Sequence, residues 1–309
     1  MRERMNSKVR GRKDLENLSV PYVGELPLWM PKKGDESTDA YRFVVRQHSR
    51  DITNEAFRVV RTNLEFMTNQ EQKCKVIMLT SFNPGSGKTF ICANLGASFA
   101  IRDSRVICID LDLRRGSLSE FADNPKKGLT NYLSGQVDSY QDLIVHQPIS
   151  GNTNGSESEK ADDSVKTLDL LPMGKLPPNP TELLYSPKLK PMLDELRQHY
   201  DYIFVDCPPV EIVADATIIS HEADVTIFVV RAGLLERSML PELQKNYDEK
   251  KYNNMAMLLN GTDAEHHYGY HRYGYGYGRY GYGYGYGYGK RYGYGYYGSD
   301  SDGKKKHKK

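Results

Sequence analysis

A glycine-rich turn followed by Lys-Thr has the residue types of a phosphate-binding loop. The segment SFNPGSGKT (81–89) follows an apolar run at 75–80 and precedes a helical pattern of apolar residues. The glycines of such a turn let backbone N–H groups curl around phosphate oxygens, and the positive end of the following helix points at the same oxygens. Lys88 adds a full positive charge, and Thr89 can place its hydroxyl on Mg²⁺. The order of strand, turn and helix predicts a P-loop, although Phe82 occupies the position where the strict pattern GxxxxGK(S/T) begins with glycine.

Three aspartates lie at the ends of two further apolar runs. Asp110 and Asp112 lie at the end of VICIDLD, and Asp206 ends YIFVD before CPP. The carboxyl ends of parallel strands meet at the edge of an α/β sheet where ligands bind, and alternation along one strand points Asp110 and Asp112 the same way. A single such aspartate would more often cap a helix or a turn. Three of them beside a P-loop predict a metal-assisted phosphoryl-transfer site.

The elements that must position these residues alternate between short apolar runs and helical patterns. Strands are predicted near 75–80, 105–109, 168–171, 202–205, 225–230 and 255–259, and helices near 87–101, 187–199, 212–221 and 236–249. Buried runs without polar alternation, separated by helices, indicate an α/β fold of the P-loop NTPase type, with a mostly parallel sheet covered by helices on both faces. The polar segment 150–164 predicts a flexible surface insertion.

The residues before the core divide into a linker and a helix. Residues 1–50 contain scattered prolines, a partly apolar stretch and a polar run, which predict a linker that docks in places. Its first thirteen residues hold six cations and one anion, which suits either an anionic membrane surface or a solvated terminus. At 53–67 the apolar residues recur at helical spacing, with Asp51 or Thr53 as the N-cap, so an amphipathic helix should precede the core.

The composition changes abruptly after Gly261. Residues 263–309 are built on Tyr-Gly dipeptides and end in KKKHKK, and they lack the large aliphatic residues of a core, which predicts disorder. Such a tail could accept phosphate, act as a sticky low-complexity segment, or contact nucleic acid. Its fourteen tyrosines are Tyr268, Tyr270, Tyr273, Tyr275, Tyr277, Tyr280, Tyr282, Tyr284, Tyr286, Tyr288, Tyr292, Tyr294, Tyr296 and Tyr297.

The composition also excludes several classes of protein. A formal charge of +2 gives no argument for a nucleic-acid partner, and none is expected. The chain has no run of 18 consecutive apolar residues and no apolar core of a signal peptide, so we expect it in the cytoplasm. The four cysteines lie far apart, which indicates reduced core residues and no metal site.

In combination, these motifs resemble the bacterial tyrosine kinases that regulate capsule and exopolysaccharide production. The catalytic domains of that family carry a P-loop SxxPxxGK(S/T), which accommodates Phe82, an acidic motif DxDxR and a strand ending in DxPP. The matching segments here are 81–89, 110–114 and 206–209. Glu55, Arg58 and Arg61 are similar to the ExxRxxR oligomerisation motif of the family. GKLPPNPTELL (174–184) is similar to a loop after its third core strand, and VPYVGELP (20–27) to its juxtamembrane stretch.

The resemblance implies a role for each site residue. Mg²⁺ would be held by Thr89 and, through water, by Asp112 and Asp206. Lys88 would neutralise the β- and γ-phosphates, and Asp110 is expected to accept the tyrosine proton, with an exchange of roles with Asp112 left open. The implied nucleotide-binding residues are Pro84, Gly85, Ser86, Gly87, Lys88, Thr89 and Phe90.

The resemblance further implies an ATP- and Mg²⁺-dependent protein-tyrosine kinase that phosphorylates its own tail in trans and thereby regulates polysaccharide synthesis and export. Its domains would be the linker 1–50, the kinase domain 51–262 and the phosphoacceptor tail 263–309. The implied partners are other copies of the chain in an octamer-like ring, a membrane-embedded co-polymerase domain, fused or separate, and a cognate tyrosine phosphatase. The implied location is the cytoplasmic face of the bacterial inner membrane.

Two other functions fit parts of the sequence. A partition or septum-site ATPase has the same fold, but carries Lys five residues before the P-loop Lys, where this chain has Asn83, and lacks tyrosine clusters. An ATP-binding scaffold without kinase activity would keep the P-loop and use the tail only as a contact surface.

Overall fold

An eight-stranded sheet forms the centre of the protein. The computed structural model describes residues 7–30, 43–68, 74–149, 166–210 and 215–263. Across the sheet the strand order is β1-β8-β7-β2-β6-β3-β5-β4, and every neighbouring pair is parallel except β4 and β5. The strands are β1 (Tyr22–Pro27), β2 (Lys75–Thr80), β3 (Val106–Asp110), β4 (Val145–Pro148), β5 (Thr167–Leu171), β6 (Tyr202–Asp206), β7 (Val225–Arg231) and β8 (Met255–Thr262).

Helices cover both faces of this sheet. On one face α1 and α2 pack through residues such as Phe57 and Phe99, and on the other α5 and α7 pack through residues such as Met192 and Leu243. Alternate residues of β2 join the two layers because successive side chains of a strand point to opposite faces. The helices are α1 (Ile52–Met67), α2 (Lys88–Ala100), α3 (Leu129–Leu133), α4 (Pro180–Leu184), α5 (Leu189–His199), α6 (Asp215–Ser220) and α7 (Leu240–Asp248).

The predicted α/β fold, with a mostly parallel sheet and helices on both faces, is therefore confirmed. The amphipathic helix expected at 53–67 is α1, and the Asp51 side chain caps it by accepting a 2.9 Å hydrogen bond from the Asn54 N–H. None of the helices within the described residues combines the length and apolar character needed to cross a bilayer. The expected insertion at 150–164 and the tyrosine-rich tail lie outside the described residues.

Two edge strands were not predicted. Strand β1 comes from the segment expected to be a linker, and it pairs in parallel with β8, the last strand of the chain. Strand β4 pairs antiparallel with β5. Both strands are short and contain Pro or Gly, which sequence patterns associate with loops, although an edge strand tolerates proline. Pairing with a distant strand decided their conformation.

The N-terminal residues also dock on the domain. The N–H of Val9 donates a 2.8 Å hydrogen bond to the Leu235 carbonyl, and the Gly233 N–H donates one of 2.7 Å to the Val9 carbonyl. An ion pair of 2.6 Å between Arg237 and Asp14 adds to this contact. Part of the expected linker is thus fixed to the turn that follows β7.

Candidate active site

The carboxyl ends of β2, β6 and β3 lie side by side and carry the predicted site residues. Asp110 at the end of β3 is in register with Asp206 at the end of β6, and Asp206 is in turn in register with Leu79 of β2. The P-loop leaves β2 directly above this row. Strand pairing therefore brings together the P-loop and the acidic residues that the sequence places far apart.

The P-loop backbone has the conformation that its glycines permit. Gly85 and Gly87 have φ values of +76° and +91°, in the left-handed region that side chains disfavour. The Ser81 and Ser86 hydroxyls both donate hydrogen bonds to the Asn83 carbonyl, at 2.8 and 2.7 Å. These internal contacts hold the loop in a curled form at the N-terminus of α2, as a phosphate cradle requires.

Lys88 is buried within this loop. Its ammonium group donates a 3.2 Å hydrogen bond to the Ser81 Oγ, and only 6% of the residue is exposed. Burial lowers the pKa of Lys88, while the charges of Asp206 and Asp112 act in the opposite direction. The ammonium group is thus held in place by a residue of the same loop.

Thr89 and Asp206 contact each other directly. The Thr89 hydroxyl donates a 2.6 Å hydrogen bond to Oδ2 of Asp206, which is fully buried. Burial raises the pKa of Asp206 to about 7, although the Thr89 hydrogen bond and the Lys88 charge lower it. Its Oδ1 has no hydrogen-bond partner among the described residues. A buried carboxylate oxygen without a partner is costly and commonly marks a ligand position.

Asp110 and Asp112 occupy different environments, although they are two residues apart. Asp110 is fully buried and accepts a 3.4 Å hydrogen bond from the Ser119 hydroxyl. Burial, followed by the nearby charges of Asp206 and Asp112, raises the pKa of Asp110. Asp112 instead faces a cavity and accepts a 3.3 Å hydrogen bond from the Arg115 N–H. Asp110 is thus enclosed, whereas Asp112 lines the cavity. The Oδ1 of Asp110 also has no hydrogen-bond partner among the described residues, so the choice of proton acceptor stays a prediction.

A cavity of about 320 Å³ opens beside the P-loop. Ser86, which was expected to bind nucleotide, does not line it, because its hydroxyl turns back to Asn83. Arg115 also lines the cavity and was not predicted there. Its position directly after the acidic motif is the one feature of the sequence that could have indicated it. The lining residues are Pro84, Gly85, Gly87, Lys88, Thr89, Phe90, Asp112, Arg115, Ser117, Glu120, Phe121 and Pro209.

Phe90 joins an aromatic cluster at the edge of this cavity. Its ring stacks on Trp29, with 5.9 Å between centroids, and meets Phe57 edge-on at 6.2 Å. Trp29 follows β1 and Phe57 belongs to α1, so both N-terminal elements contact a residue that lines this cavity. Trp29 is the only tryptophan of the chain, which makes it a fluorescent reporter for this cavity.

Asn260 supports the P-loop, and no motif of the sequence indicates this role. This buried residue of β8 donates a 2.8 Å hydrogen bond from its Nδ2 to the Ser86 carbonyl. A Cβ added to Gly87 would lie only 2.4 Å from the same Nδ2. Position 87 thus requires glycine for two reasons: its backbone has a positive φ, and Asn260 leaves no space for a Cβ.

The donor set fits a magnesium-bound nucleotide. The described residues contain no cluster of three His, Cys, Asp or Glu side chains around one point. Mg²⁺ usually takes one or two carboxylates, a hydroxyl and substrate phosphates instead of a protein-only cage. The Thr89 hydroxyl, the unpartnered oxygen of Asp206 and the P-loop cradle supply that combination.

The residues of the ExxRxxR motif differ in exposure. Glu55 and Arg58 are partly exposed and form an ion pair with each other, and Arg58 donates a 2.8 Å hydrogen bond to the Ser49 carbonyl. Arg61 is buried, and its Nη1 donates to the Ser98 carbonyl at 2.6 Å, near the end of α2. Within one chain, Arg61 joins α1 to α2, so only Glu55 and Arg58 are available at the surface.

Comparisons with known proteins agree with this geometry. A family of AAA domains matches residues 74–251. The putative tyrosine-protein kinase AmsA of Erwinia amylovora is 31% identical over 83% of this chain and 35% of its own length. The tyrosine-protein kinase CpsD of Streptococcus agalactiae is 32% identical over 67% of this chain and 82% of its own length. The kinase domain of the Escherichia coli tyrosine kinase ETK is 27% identical, with a TM-score of 0.65, over 87% of this chain and 100% of that domain.

The relatives differ in how much of their length is matched. The chain spans roughly a third of the length of AmsA and of the tyrosine-protein kinase Wzc of Salmonella typhimurium, with 35% and 37% covered. It spans most of CpsD.

Proposed function

The chain belongs to the bacterial tyrosine-protein kinases, and on this premise we propose that it transfers the terminal phosphoryl group of ATP to tyrosine hydroxyls, including those of its own C-terminal segment. The observation that carries the proposal is the contact between Thr89 and Asp206 next to the buried Lys88. A hydroxyl, an unpartnered carboxylate oxygen and an ammonium group at a phosphate cradle are the parts that phosphoryl transfer needs.

The chain's own residues would bind and orient the nucleotide. Backbone N–H groups of 85–89 donate to phosphate oxygens, and Lys88 attracts the β- and γ-phosphates. Thr89 and Asp206 would hold Mg²⁺, with Asp112 contributing through water. A bound Mg²⁺ ion would supply further positive charge to the phosphate oxygens. The seven residues Pro84, Gly85, Ser86, Gly87, Lys88, Thr89 and Phe90 form the binding loop, with Ser86 acting through its backbone.

A carboxylate must accept the proton of the attacking tyrosine, since a tyrosine hydroxyl has a pKa of about 10 in water. We assign this role to Asp112, because it lines the cavity while Asp110 is enclosed under Ser119. The tyrosine oxygen bonds to the γ-phosphorus, the bond from that phosphorus to the bridging oxygen breaks, and ADP leaves. The hydroxyl proton passes to the Asp112 carboxylate.

The tyrosine-rich tail is the proposed phosphoacceptor. It offers fourteen hydroxyls on a glycine-rich segment, and each tyrosine has glycine on at least one side, which reduces steric hindrance beside its ring. Each phosphate adds about −1.5 to −2 charges, so several would make a mildly basic segment strongly acidic. In the proposed cycle, α1 assembles an octamer-like ring, each tail enters a neighbouring site, and the accumulated charge expels the tails and loosens the ring.

The wider setting is proposed from the family alone. The kinase would work at the cytoplasmic face of the inner membrane with a membrane-embedded co-polymerase domain, and would regulate polysaccharide synthesis and export. A cognate tyrosine phosphatase would reverse the modification.

The test is phosphate transfer by the purified chain. Wild type, Lys88→Met and the surface control Lys245→Met are incubated with ATP and Mg²⁺, and phosphotyrosine is located by mass spectrometry. We expect phosphate on the tail in wild type and in the control, and none in Lys88→Met. Mixing Lys88→Met with an active chain whose tail tyrosines are all Phe tests transfer in trans, because only the inactive chain can then accept tail phosphate.

Other outcomes would identify the alternatives. ADP formation without phosphotyrosine would indicate an ATPase switch, and nucleotide binding without ADP formation would indicate a scaffold. Tail phosphotyrosine in Lys88→Met on its own would assign the modification to another enzyme. Each of these results would overturn the proposed kinase activity.

A further inference from the structure

A half-buried arginine stands beside the P-loop without an anion. Arg231 ends β7, which neighbours β2 on the side opposite to β6 and its Asp206. A Cβ built on Gly87 would lie 3.9 Å from the Nη1 of Arg231. Among the described residues no carboxylate or hydrogen-bond acceptor meets this guanidinium, and burial lowers the pKa of Arg231 with no opposing charge.

The surrounding backbone leaves room for this side chain. In the sheet Arg231 is the register partner of Asn260, the residue whose amide holds the P-loop. A Cβ on the next residue, Gly261, would lie 2.7 Å from the Cζ of Arg231 and 2.8 Å from its Nε. The guanidinium therefore packs against the backbone of Gly261 and extends toward the P-loop at Gly87.

Two other arginines of the described residues show the pairing that Arg231 lacks. The partly buried Arg197 pairs with Asp224 at 2.7 Å, and the exposed Arg237 pairs with Asp14 at 2.6 Å. A guanidinium stays protonated at ordinary pH, so its partial burial carries a desolvation cost. No contact within the described residues offsets that cost for Arg231. A cost of this kind at the edge of a binding site indicates that the compensating charge belongs to a ligand.

We propose that Arg231 is a second nucleotide-binding cation, which attracts the phosphate groups of ATP and ADP from the β7–β8 side of the P-loop while Lys88 acts from within it. The inference rests on the proposed function, because it requires a nucleoside polyphosphate in the P-loop. Arg231 does not itself line the 320 Å³ cavity, so it acts on the phosphates as a nearby charge from behind Gly87, on the side of the P-loop away from Asp206.

The test measures nucleotide affinity by displacement of a fluorescently labelled ADP from the full chain. Arg231→Met removes the charge at similar length, Arg231→Lys keeps it, and Arg237→Met removes one charge from the turn after β7, away from the P-loop. We expect Arg231→Met to weaken ADP and ATP about tenfold, as loss of one nearby charge at moderate effective dielectric does. Arg231→Lys should stay within about threefold of wild type because the charge is kept.

Two further measurements separate a phosphate contact from a structural role. Adenosine, which has no phosphate, should displace the labelled ADP equally well from wild type and from Arg231→Met. The thermal midpoint of nucleotide-free Arg231→Met should equal or exceed that of wild type, because an unpaired half-buried cation has been removed. A lower midpoint would contradict the absence of a stabilising partner for Arg231.

The inference is wrong if Arg231→Met binds ADP as tightly as wild type, if Arg231→Lys loses as much affinity as Arg231→Met, or if Arg237→Met weakens binding equally. An equal loss for adenosine and ADP would place the contact at the nucleoside and also overturn it. Failure of wild type itself to bind labelled ADP would instead remove the proposed function on which the inference rests.

Discussion

The Thr89 hydroxyl at the start of α2 donates a 2.6 Å hydrogen bond to Asp206 at the end of β6, a residue 117 positions later in the chain. Strand pairing and the P-loop together place these two side chains in contact. Each satisfies part of the other's hydrogen-bonding capacity, and the second oxygen of Asp206 has no partner among the described residues.

Replacing Thr89 by Ala should weaken binding of magnesium-bound ADP at least about tenfold, because a metal ligand and a partner of Asp206 are lost together. Thr89→Ser keeps the hydroxyl and should remain within about threefold of wild type. Titration calorimetry with Mg²⁺ and again with EDTA provides the measurement. An equally large loss for Thr89→Ala in EDTA would show that the hydroxyl does not act through the metal.

Asp206 should make the nucleotide-free protein less stable as the pH rises. Its pKa is raised from 3.8 to about 7 in the folded state, so between these values the folded protein holds a proton that the unfolded chain has lost. Stability from this group is then present at low pH and is lost as the pH rises through about 7. Asp206→Asn should be more stable than wild type at pH 8, by on the order of 2–4 kcal/mol, with little difference near pH 4.

Urea unfolding of both proteins without nucleotide, at several pH values, measures this difference. The way in which the difference in unfolding free energy changes with pH is as informative as its magnitude. A difference between wild type and Asp206→Asn that stays constant from pH 4 to pH 8 would contradict a raised pKa as its cause.

Gly87 and Asn260 should be coupled. Gly87→Ala places a methyl group where a Cβ would lie 2.4 Å from Nδ2 of Asn260, whereas a Cβ on Gly85 meets nothing within 4 Å. Both positions have positive φ, so both substitutions carry backbone strain of about 1 kcal/mol, and Gly87→Ala adds a steric cost. We expect Gly87→Ala to reduce nucleotide affinity more than Gly85→Ala does.

Asn260→Ala removes both the clash and the hydrogen bond to the Ser86 carbonyl, with an expected loss of about 1–2 kcal/mol in stability. The double variant Gly87→Ala/Asn260→Ala should therefore lose less affinity than the sum of the two single variants. A double-mutant cycle on ADP binding measures the coupling. Strict additivity would mean that Asn260 does not limit the space at Gly87.

Arg58 and Arg61 should respond differently to substitution. Arg61 is buried on the Ser98 carbonyl, so Arg61→Ala should lower the free energy of unfolding by about 2–3 kcal/mol. Arg58 is partly exposed, so Arg58→Ala should cost under about 1 kcal/mol. If α1 forms the proposed ring, Arg58→Ala should still reduce assembly size in sedimentation velocity while leaving stability intact. Full assembly and full tail phosphorylation in Arg58→Ala would remove Arg58 from the interface.

The sequence by itself determined the chemistry and the fold class. The order of strand, glycine turn and Lys-Thr fixes a P-loop within nine consecutive residues, because phosphate binding depends on local backbone and on adjacent side chains. Buried runs separated by helices indicated the parallel sheet, which is confirmed, as is the resemblance to bacterial tyrosine kinases. Aspartates at strand ends were expected to converge, because parallel strands end at one edge.

The tertiary structure decided which of these residues line the cavity beside the P-loop and what supports them. Asp110 and Asp112 carry the same group two residues apart, and only their tertiary neighbours decide that Asp110 is enclosed beside Ser119 while Asp112 lines the cavity. Asn260 reaches the P-loop from β8 across 174 positions of sequence, and no local pattern indicates that contact. Burial depends on neighbours that are distant in the chain. The pKa of Asp206 and the unpaired charge of Arg231 both depend on burial, so only the folded structure could reveal them.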